Sequence, residues 1–239
     1  MNLSEMVEPQ SIDMIFADPP YFLSNDGVTC HSGKMVSVNK GEWDKGATTI
    51  EEKHAFNRKW LRACKNVLKP TGTIWISGTL HNIYSIGMAL EQEGFKLLNN
   101  ITWQKTNPPP NLACKCFTHS TETILWAKLD NKKYRHRFNY QLMKEENEGK
   151  QMKDVWTGAL TSPKEKAEGK HPTQKPRYIL DRIVKASTDL GDTILDPFCG
   201  SGTTGVSAKE AGRLFIGIDI VSDYLDLSTK RMERVNFGE

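Results

Sequence analysis

The chain has 239 residues, 38% of them hydrophobic and 26% charged, enough for one full core with a small appended lobe and too balanced for disorder, collagen or coiled coil. No apolar run approaches the roughly 18 residues a membrane span needs, and the N-terminus does not read as a signal peptide. A formal net charge of +3 permits a polyanionic partner without demanding one. The five scattered cysteines, an odd number, point to reduced thiols in a cytoplasm. Cys114-Lys115-Cys116 with His119 fits no common zinc spacing and no second ligand pair follows, so no metal site is expected.

Strand and helix patterns alternate along most of the chain. Ile12–Ala17 is a short apolar run ending at Asp18-Pro19-Pro20-Tyr21, where two prolines must stop a central strand. Residues 22–49 are Gly-, Ser- and Asn-rich without period and read as a long loop. From Glu51 to Leu68, Phe56, Trp60, Cys64, Val67 and Leu68 share one helical face, closed by Lys69-Pro70-Thr71-Gly72. Thr73–Ser77 predicts a buried strand, His81–Glu93 a helix ended by Gly94, Leu97–Lys105 a strand and Asn107–Asn111 a rigid proline loop. Thr121–Ala127 predicts another strand. Lys128–Lys170 then loses all apolar period and gains charge, as an insertion outside the core would. Pro176–Asp189 reads as helix, Thr193–Pro197 as strand, Thr203–Ala211 as helix, Leu214–Ile220 as strand and Ser222–Val235 as the closing helix. This order predicts a single α/β domain around a doubly wound, mostly parallel sheet.

Two segments carry chemistry. Asp196-Pro-Phe198-Cys-Gly200-Ser201-Gly202-Thr203-Thr-Gly205 contains the G-x-G-x-x-G spacing between a strand and a helix start, where backbone amides face a ligand closely approached. Taken alone, such a turn serves dinucleotide enzymes, others, or no ligand at all. Asp196 just before the turn suits a cation better than a pyrophosphate, and Asp219 at the end of the next strand suits ribose hydroxyls. A ligand with a ribose and an ammonium but no phosphates fits S-adenosylmethionine better than NAD.

The other segment is Asp18-Pro19-Pro20-Tyr21, at a strand's carboxyl end, the edge where doubly wound sheets bind ligands. It suits methylation of an exocyclic amine, whose lone pair is delocalised into its ring. Hydrogen bonds from that amine to the Asp18 carboxylate and the Pro19 carbonyl would rehybridise nitrogen. Tyr21 would stack on a base taken out of the helix. The bland alternative is a strand ending in a proline turn.

With both ends in hand, the chain resembles the β-class DNA amino-methyltransferases over nearly its whole length, including the permuted order with the catalytic motif first and the cofactor motif last. The resemblance implies an adenine-N6 methyltransferase using S-adenosylmethionine. Asp18–Tyr21 matches the catalytic motif, with Asp18 also at the cofactor. Asp196, Phe198, Gly200, Ser201, Gly202 and Thr203 match the cofactor loop, and Asp219 the ribose-binding acid. His171-Pro-Thr173-Gln174-Lys175-Pro176 matches the motif that holds the cofactor's methionine moiety. Asp-Pro-Pro-Tyr favours adenine over cytosine, for which a serine commonly replaces the aspartate. Asn100–Asn107 and His119–Trp126 are similar to adenine enzymes of GATC-specific restriction–modification systems. Family members carry a strand upstream of the catalytic motif whose end contacts the cofactor's adenine. Only Met1–Ser11 precede the catalytic strand here, so that edge strand is expected to be missing beside the one ending at Asp219, with weaker cofactor binding; a truncated start is an equal alternative.

The implied partner is DNA, single- or double-stranded; the resemblance leaves open a second copy of the chain and a cognate restriction endonuclease. In Lys128–Arg137, five Lys/Arg stand against one acid with Tyr134, Phe138 and Tyr140 interleaved or following, so Lys132, Lys133, Arg135 and Arg137 are candidate phosphate contacts within a target-recognition region at about residues 130–169. Residues 22–49, with Lys34, Lys40 and Trp43, are the second candidate. The rival readings are a cytosine-N4 methyltransferase, a dinucleotide oxidoreductase, and an inactive DNA-binding relic.

Overall fold

Strand β1 (Ile12–Ala17) sends Met14 and Phe16 into one apolar cluster and Ile15 and Ala17 into another. That alternation is the period-2 signature of a strand covered on both faces. In the computed structural model, which describes residues 3–22, 28–31, 34–37, 44 and 49–238, β1 lies inside a seven-stranded sheet. The other strands are β4 (Leu68–Gly78), β5 (Phe95–Lys105), β6 (Thr121–Leu129), β7 (Val155–Gly158), β8 (Thr193–Asp196) and β9 (Leu214–Gly217), in the order β7-β5-β6-β4-β1-β8-β9. A separate hairpin pairs β2 (Val28–His31) with β3 (Lys34–Ser37).

Helices α1 (Leu3–Met6), α2 (Ile50–Val67) and α3 (Ile83–Gln92) cover one face, burying Leu3, Trp60, Leu61, Cys64, Ile86 and Leu90 against Ile15, Ile74 and Ile76. Helices α4 (Tyr140–Glu146), α5 (Arg177–Ser187) and α6 (Thr203–Glu210) cover the other, where Met143, Ile179, Ile183, Val184 and Ala208 meet Met14, Phe16, Trp75 and Ile194. Helix α7 (Ser222–Glu233) packs on α6. A capping box starts α2: the Thr49 hydroxyl accepts from Glu52 N at 3.1 Å, and the Glu52 carboxylate from Thr49 N at 3.0 Å. Among the described residues no helix is long and apolar enough to cross a membrane.

The chain leaves β1 for β4 on one side, while β8 lies parallel on the other side of β1. The winding reverses there, opening a crevice at the carboxyl ends of β1 and β8. Asp18 and Asp196 stand at those two ends.

The structure corrects the sequence reading in four places. Lys69–Gly72 is part of β4: the register jumps from Ile12↔Leu68 to Met14↔Thr73, so the expected turn is a bulge that follows α2 directly. The stretch read as a loop after Tyr21 contains the β2–β3 hairpin. Strand β6 runs antiparallel to β4 and β5, because a proline loop and not a crossover helix joins it to β5. The charged segment after β6 is not outside the core: β7 pairs in parallel with β5, and Met143 and Trp156 are buried. Too few and too widely spaced, these anchors leave no period to read. No described strand pairs on the outer side of β9, and residues Leu3–Met6 upstream of β1 are helical.

Candidate active site

Where β1 ends, both oxygens of the Asp18 carboxylate are engaged. The Tyr21 hydroxyl donates to Oδ1 at 2.5 Å, and the Lys175 ammonium donates to Oδ2 at 2.6 Å and to the Tyr21 hydroxyl oxygen at 2.8 Å. Behind Lys175, at 3.5 Å, stands the buried carboxylate of Glu122 from the start of β6, which pairs with Lys105 from the end of β5 at 2.7 Å. The four charged groups, two acids and two bases, cancel. Burial raises the Asp18 carboxyl above its ordinary range against the pull of Lys175. Burial acts to lower the Lys175 ammonium, but Asp18, Tyr21 and Glu122 outweigh it and hold it well above its usual value. Burial likewise opposes ionisation of Glu122, yet Lys175 and Lys105 leave its carboxyl below the usual range. Asn82 Nδ2 donates to the Pro20 carbonyl at 3.3 Å, tying the proline turn to the start of α3.

Beside this cluster lies a cavity of about 390 Å³, lined by Asp18, Pro20, Thr173, Gln174, Lys175, Asp196, Phe198, Gly200, Ser201, Thr203 and Asp219 among others. Its size is that of a small-cofactor site. The turn after β8 requires its glycines: Gly200 has φ +48° and its missing Cβ would lie 3.0 Å from the His171 ring; Gly202 has φ +72° and would meet Ser228 Oγ at 2.0 Å. Asp219 pins the turn, its two oxygens accepting Gly200 N at 2.8 Å and Val221 N at 3.0 Å. Arg231 of α7 donates to the Ser201 carbonyl at 2.5 Å and to Thr203 Oγ1 at 3.1 Å. Asp196 accepts from Thr204 Oγ1 at 2.5 Å and from Phe198 N at 3.0 Å, and burial pushes its carboxyl up to about 7. Burial and neighbouring cations, Lys175 first, hold His171 down at about 4, so it is neutral at pH 7.

These residues fit S-adenosylmethionine. The glycine turn leaves room that side chains would fill, two carboxylates face a mostly apolar cavity, and the Oε1 of cavity-lining Gln174 is buried without a hydrogen-bond partner. A dinucleotide's pyrophosphate would meet the Asp196 carboxylate as a repelling charge, whereas Asp219 suits the ribose of either ligand.

The structure brings residues of the two sequence-predicted segments to one cavity, through contacts that sequence reasoning missed. Glu122, Lys105, Asn82 and Arg231 carry no motif; each is one polar residue at an element's end or on a helix, and only packing brings it in. Lys175, expected at the cofactor, also holds the Asp18 carboxylate. Tyr21, expected to stack on a base, is 7% exposed with its hydroxyl turned onto Asp18. That buried bond keeps the ring against Asp18 and Lys175.

The basic candidates lie elsewhere. Because β6 runs antiparallel, Lys132, Lys133, Arg135 and Arg137 follow its far end, roughly 25 Å of strand from Thr121 at about 3.3 Å per residue. Arg137 is further occupied by Asp189 and Asp192. These residues therefore do not line the edge where Asp18 and Asp196 stand. Lys40 and Trp43 and the Lys34 side chain lie outside the described residues. Residues 106–120, between the ends of β5 and β6, lie instead at the edge of the sheet where Asp18 stands. Asn111 braces this loop, donating to the Cys116 carbonyl at 2.7 Å and accepting from Ala113 N at 3.1 Å. Phe117 is 96% exposed there. Among the described residues no His, Cys, Asp and Glu cluster could hold a metal ion.

Known proteins match this architecture along its length. The Type II methyltransferase M2.DpnII of Streptococcus pneumoniae is 68% identical over 234 residues, 98% of this chain and 87% of that protein. The Type II methyltransferase M2.MboI of Moraxella bovis is 50% identical over 228 residues, 95% of this chain and 83% of its own. The crystal structure of an M1.HpyAVI–SAM complex superposes with a TM-score of 0.69 at 28% identity, covering 96% of this chain and 91% of the other. The family described as DNA methylase matches residues 12–230, from the first residue of β1 into α7, and the chain belongs to that DNA methylase family.

Proposed function

We propose that this enzyme transfers the methyl group of S-adenosylmethionine to the exocyclic N6 amine of adenine in DNA, in a GATC context, within a cytoplasmic restriction–modification system. One observation carries the reading: the Asp18 carboxylate opens into the same cavity as Asp196 and the glycine turn. An amine held by Asp18 and a cofactor held by the turn therefore meet in one water-poor space.

When bound, the cofactor supplies a methyl group on a positively charged sulfur, which departs as a neutral thioether while the new N–C bond forms. Asp219 accepts hydrogen bonds from ribose hydroxyls through lone pairs its two backbone amides leave free. Asp196 and Gln174 Oε1 face the cationic methionine end. Asp18 and the Pro19 carbonyl accept the two N–H bonds of the amine, turning its lone pair toward the methyl group. The nitrogen becomes positive as the bond forms, and a carboxylate fixed beside it in a low-dielectric site stabilises that charge. The nitrogen then sheds one proton, for which Asp18 is the nearest base.

The loop of residues 106–120, with exposed Lys115 and Phe117, contacts the duplex beside the target base. The target-recognition region includes this loop together with residues 159–169, which follow the end of β7 beside Lys105, whereas the basic stretch of residues 132–137 lies at the far end of the sheet. The test is transfer of labelled methyl from S-adenosylmethionine to DNA, followed by digestion to nucleosides and sequencing of modified positions. Label in N6-methyladenosine at GATC supports the reading; label in N4-methylcytosine, or none, refutes it.

A further inference from the structure

In the arrangement described, each oxygen of Asp18 already accepts one strong hydrogen bond, Oδ1 from Tyr21 and Oδ2 from the Lys175 ammonium, so the amine meets a carboxylate whose charge is neutralised. An ammonium kept on Oδ2 would also repel the charge that grows on the substrate nitrogen, cancelling the carboxylate's purpose. Among the described residues, Glu122 offers Lys175 another acidic partner. Glu122 Oε2 lies 3.5 Å from its Nζ, and this oxygen is buried and makes no hydrogen bond. The other oxygen, Oε1, is held by Lys105 at 2.7 Å, which fixes the carboxylate in place.

We propose that Lys175 has two stations, and that entry of the substrate amine moves its ammonium from Asp18 to the vacant oxygen of Glu122. The displacement is under 1 Å: a contact of 3.5 Å closes to the roughly 2.8 Å of a charge-assisted hydrogen bond. The exchange replaces one buried ionic hydrogen bond with another and moves no net charge into the site, so the protein itself opposes it little. It lengthens the 2.6 Å bond to Asp18 Oδ2 by up to the same distance, to about 3.3 Å, so that Oδ2 is released to accept from the amine and less of the Asp18 charge is neutralised where the nitrogen becomes positive. Before the amine arrives, the same ammonium neutralises a buried carboxylate that would otherwise take up a proton and lose its function as acceptor. Glu122 is thus a positioning residue, acting on the reaction through Lys175.

This inference rests on the adenine-methylation reading, and its test separates the two. With lysine ¹⁵Nζ-labelled protein, the Lys175 signal, assigned by its loss in Lys175→Met, is followed as a duplex with one target adenine is added in the presence of S-adenosylhomocysteine. Single-turnover methyl transfer and DNA affinity are measured alongside for Glu122→Gln. The expected result is a Lys175 signal that moves on DNA binding in the native protein and stays in Glu122→Gln. Transfer in the variant should be slower by on the order of 10- to 100-fold, with unchanged DNA affinity. A native Lys175 signal identical with and without DNA overturns the proposal even if Glu122→Gln does not fold. So does a Glu122→Gln protein that transfers at the native rate. A native protein that methylates no adenine overturns the functional reading, and the two-station proposal with it.

Discussion

Lys175 and Asp18 lie 157 positions apart in the chain and 2.6 Å apart in space, the ammonium donating to Asp18 Oδ2. The contact joins the loop before α5 to the end of β1, so the segment that frames the cofactor cavity and the segment that receives the amine are one unit. A change on either side is felt on the other.

Replacing Asp18 with alanine should lower kcat on the order of 10²-fold or more, because its bonds to the amine strengthen as charge develops. The fold should survive. Lys175 retains Glu122 as a partner, and the removed carboxylate is one that burial disfavours. A shift in Tm beyond about 4 °C, roughly 1 kcal/mol for a domain of this size, would show that Asp18 is structural.

Cofactor affinity should depend on pH through Asp196. Its carboxyl, pushed up to about 7, is largely protonated at pH 6 and ionised at pH 8 in the free protein. A cationic ligand favours the ionised form, so affinity rises with pH and binding releases a proton below the midpoint. Calorimetry should find binding weaker by about tenfold at pH 6 than at pH 8. The Asp196→Asn protein should bind less tightly and lose this slope.

The basic stretch after β6 should contribute little to DNA binding, given its place at the far end of the sheet. Replacing Lys132, Lys133 and Arg135 together with alanine should leave the slope of log K against log salt unchanged. Three phosphate contacts would instead flatten it by about 2.7. Salt titrations on duplex DNA decide between the two.

Phe117 should act as a wedge on duplex DNA. Braced by Asn111 and almost fully exposed at the edge of the sheet where Asp18 stands, it can fill the gap a displaced base leaves. Phe117→Ala should slow methylation of a duplex by roughly tenfold, corresponding to stacking worth about 1–3 kcal/mol. A single strand containing the same target, whose base needs no extraction, should be methylated as before. Equal losses on both substrates would count against the wedge.

The strands and helices that a sequence reading recovers are those whose residues repeat at a regular period, such as β1 with Met14 and Phe16 against Ile15 and Ala17. The motifs it recovers are contiguous: Asp18–Tyr21, Asp196–Thr203 and His171–Pro176 each set their chemistry by neighbours along the chain, through a strand end, a glycine turn or a proline-bounded loop. Positive φ at Gly200 and Gly202 is a local property of the turn, while the close approach of His171 and Ser228 that also bars a side chain there is tertiary.

The tertiary structure alone decided what faces what. The antiparallel direction of β6 put Lys132 to Arg137 at the end away from Asp18 and brought Glu122, at the other end of the same strand, beside Lys175. Strand direction follows from how β5 and β6 are joined and packed, and no single segment encodes it. The buried Trp156 took its place in the core because β7 found an edge on β5, and Met143 because α4 packs on α5. The charge-neutral set of Asp18, Lys175, Glu122 and Lys105 exists only because burial makes each charge need a partner. That demand is set by the surroundings of these side chains, which the order of residues does not display.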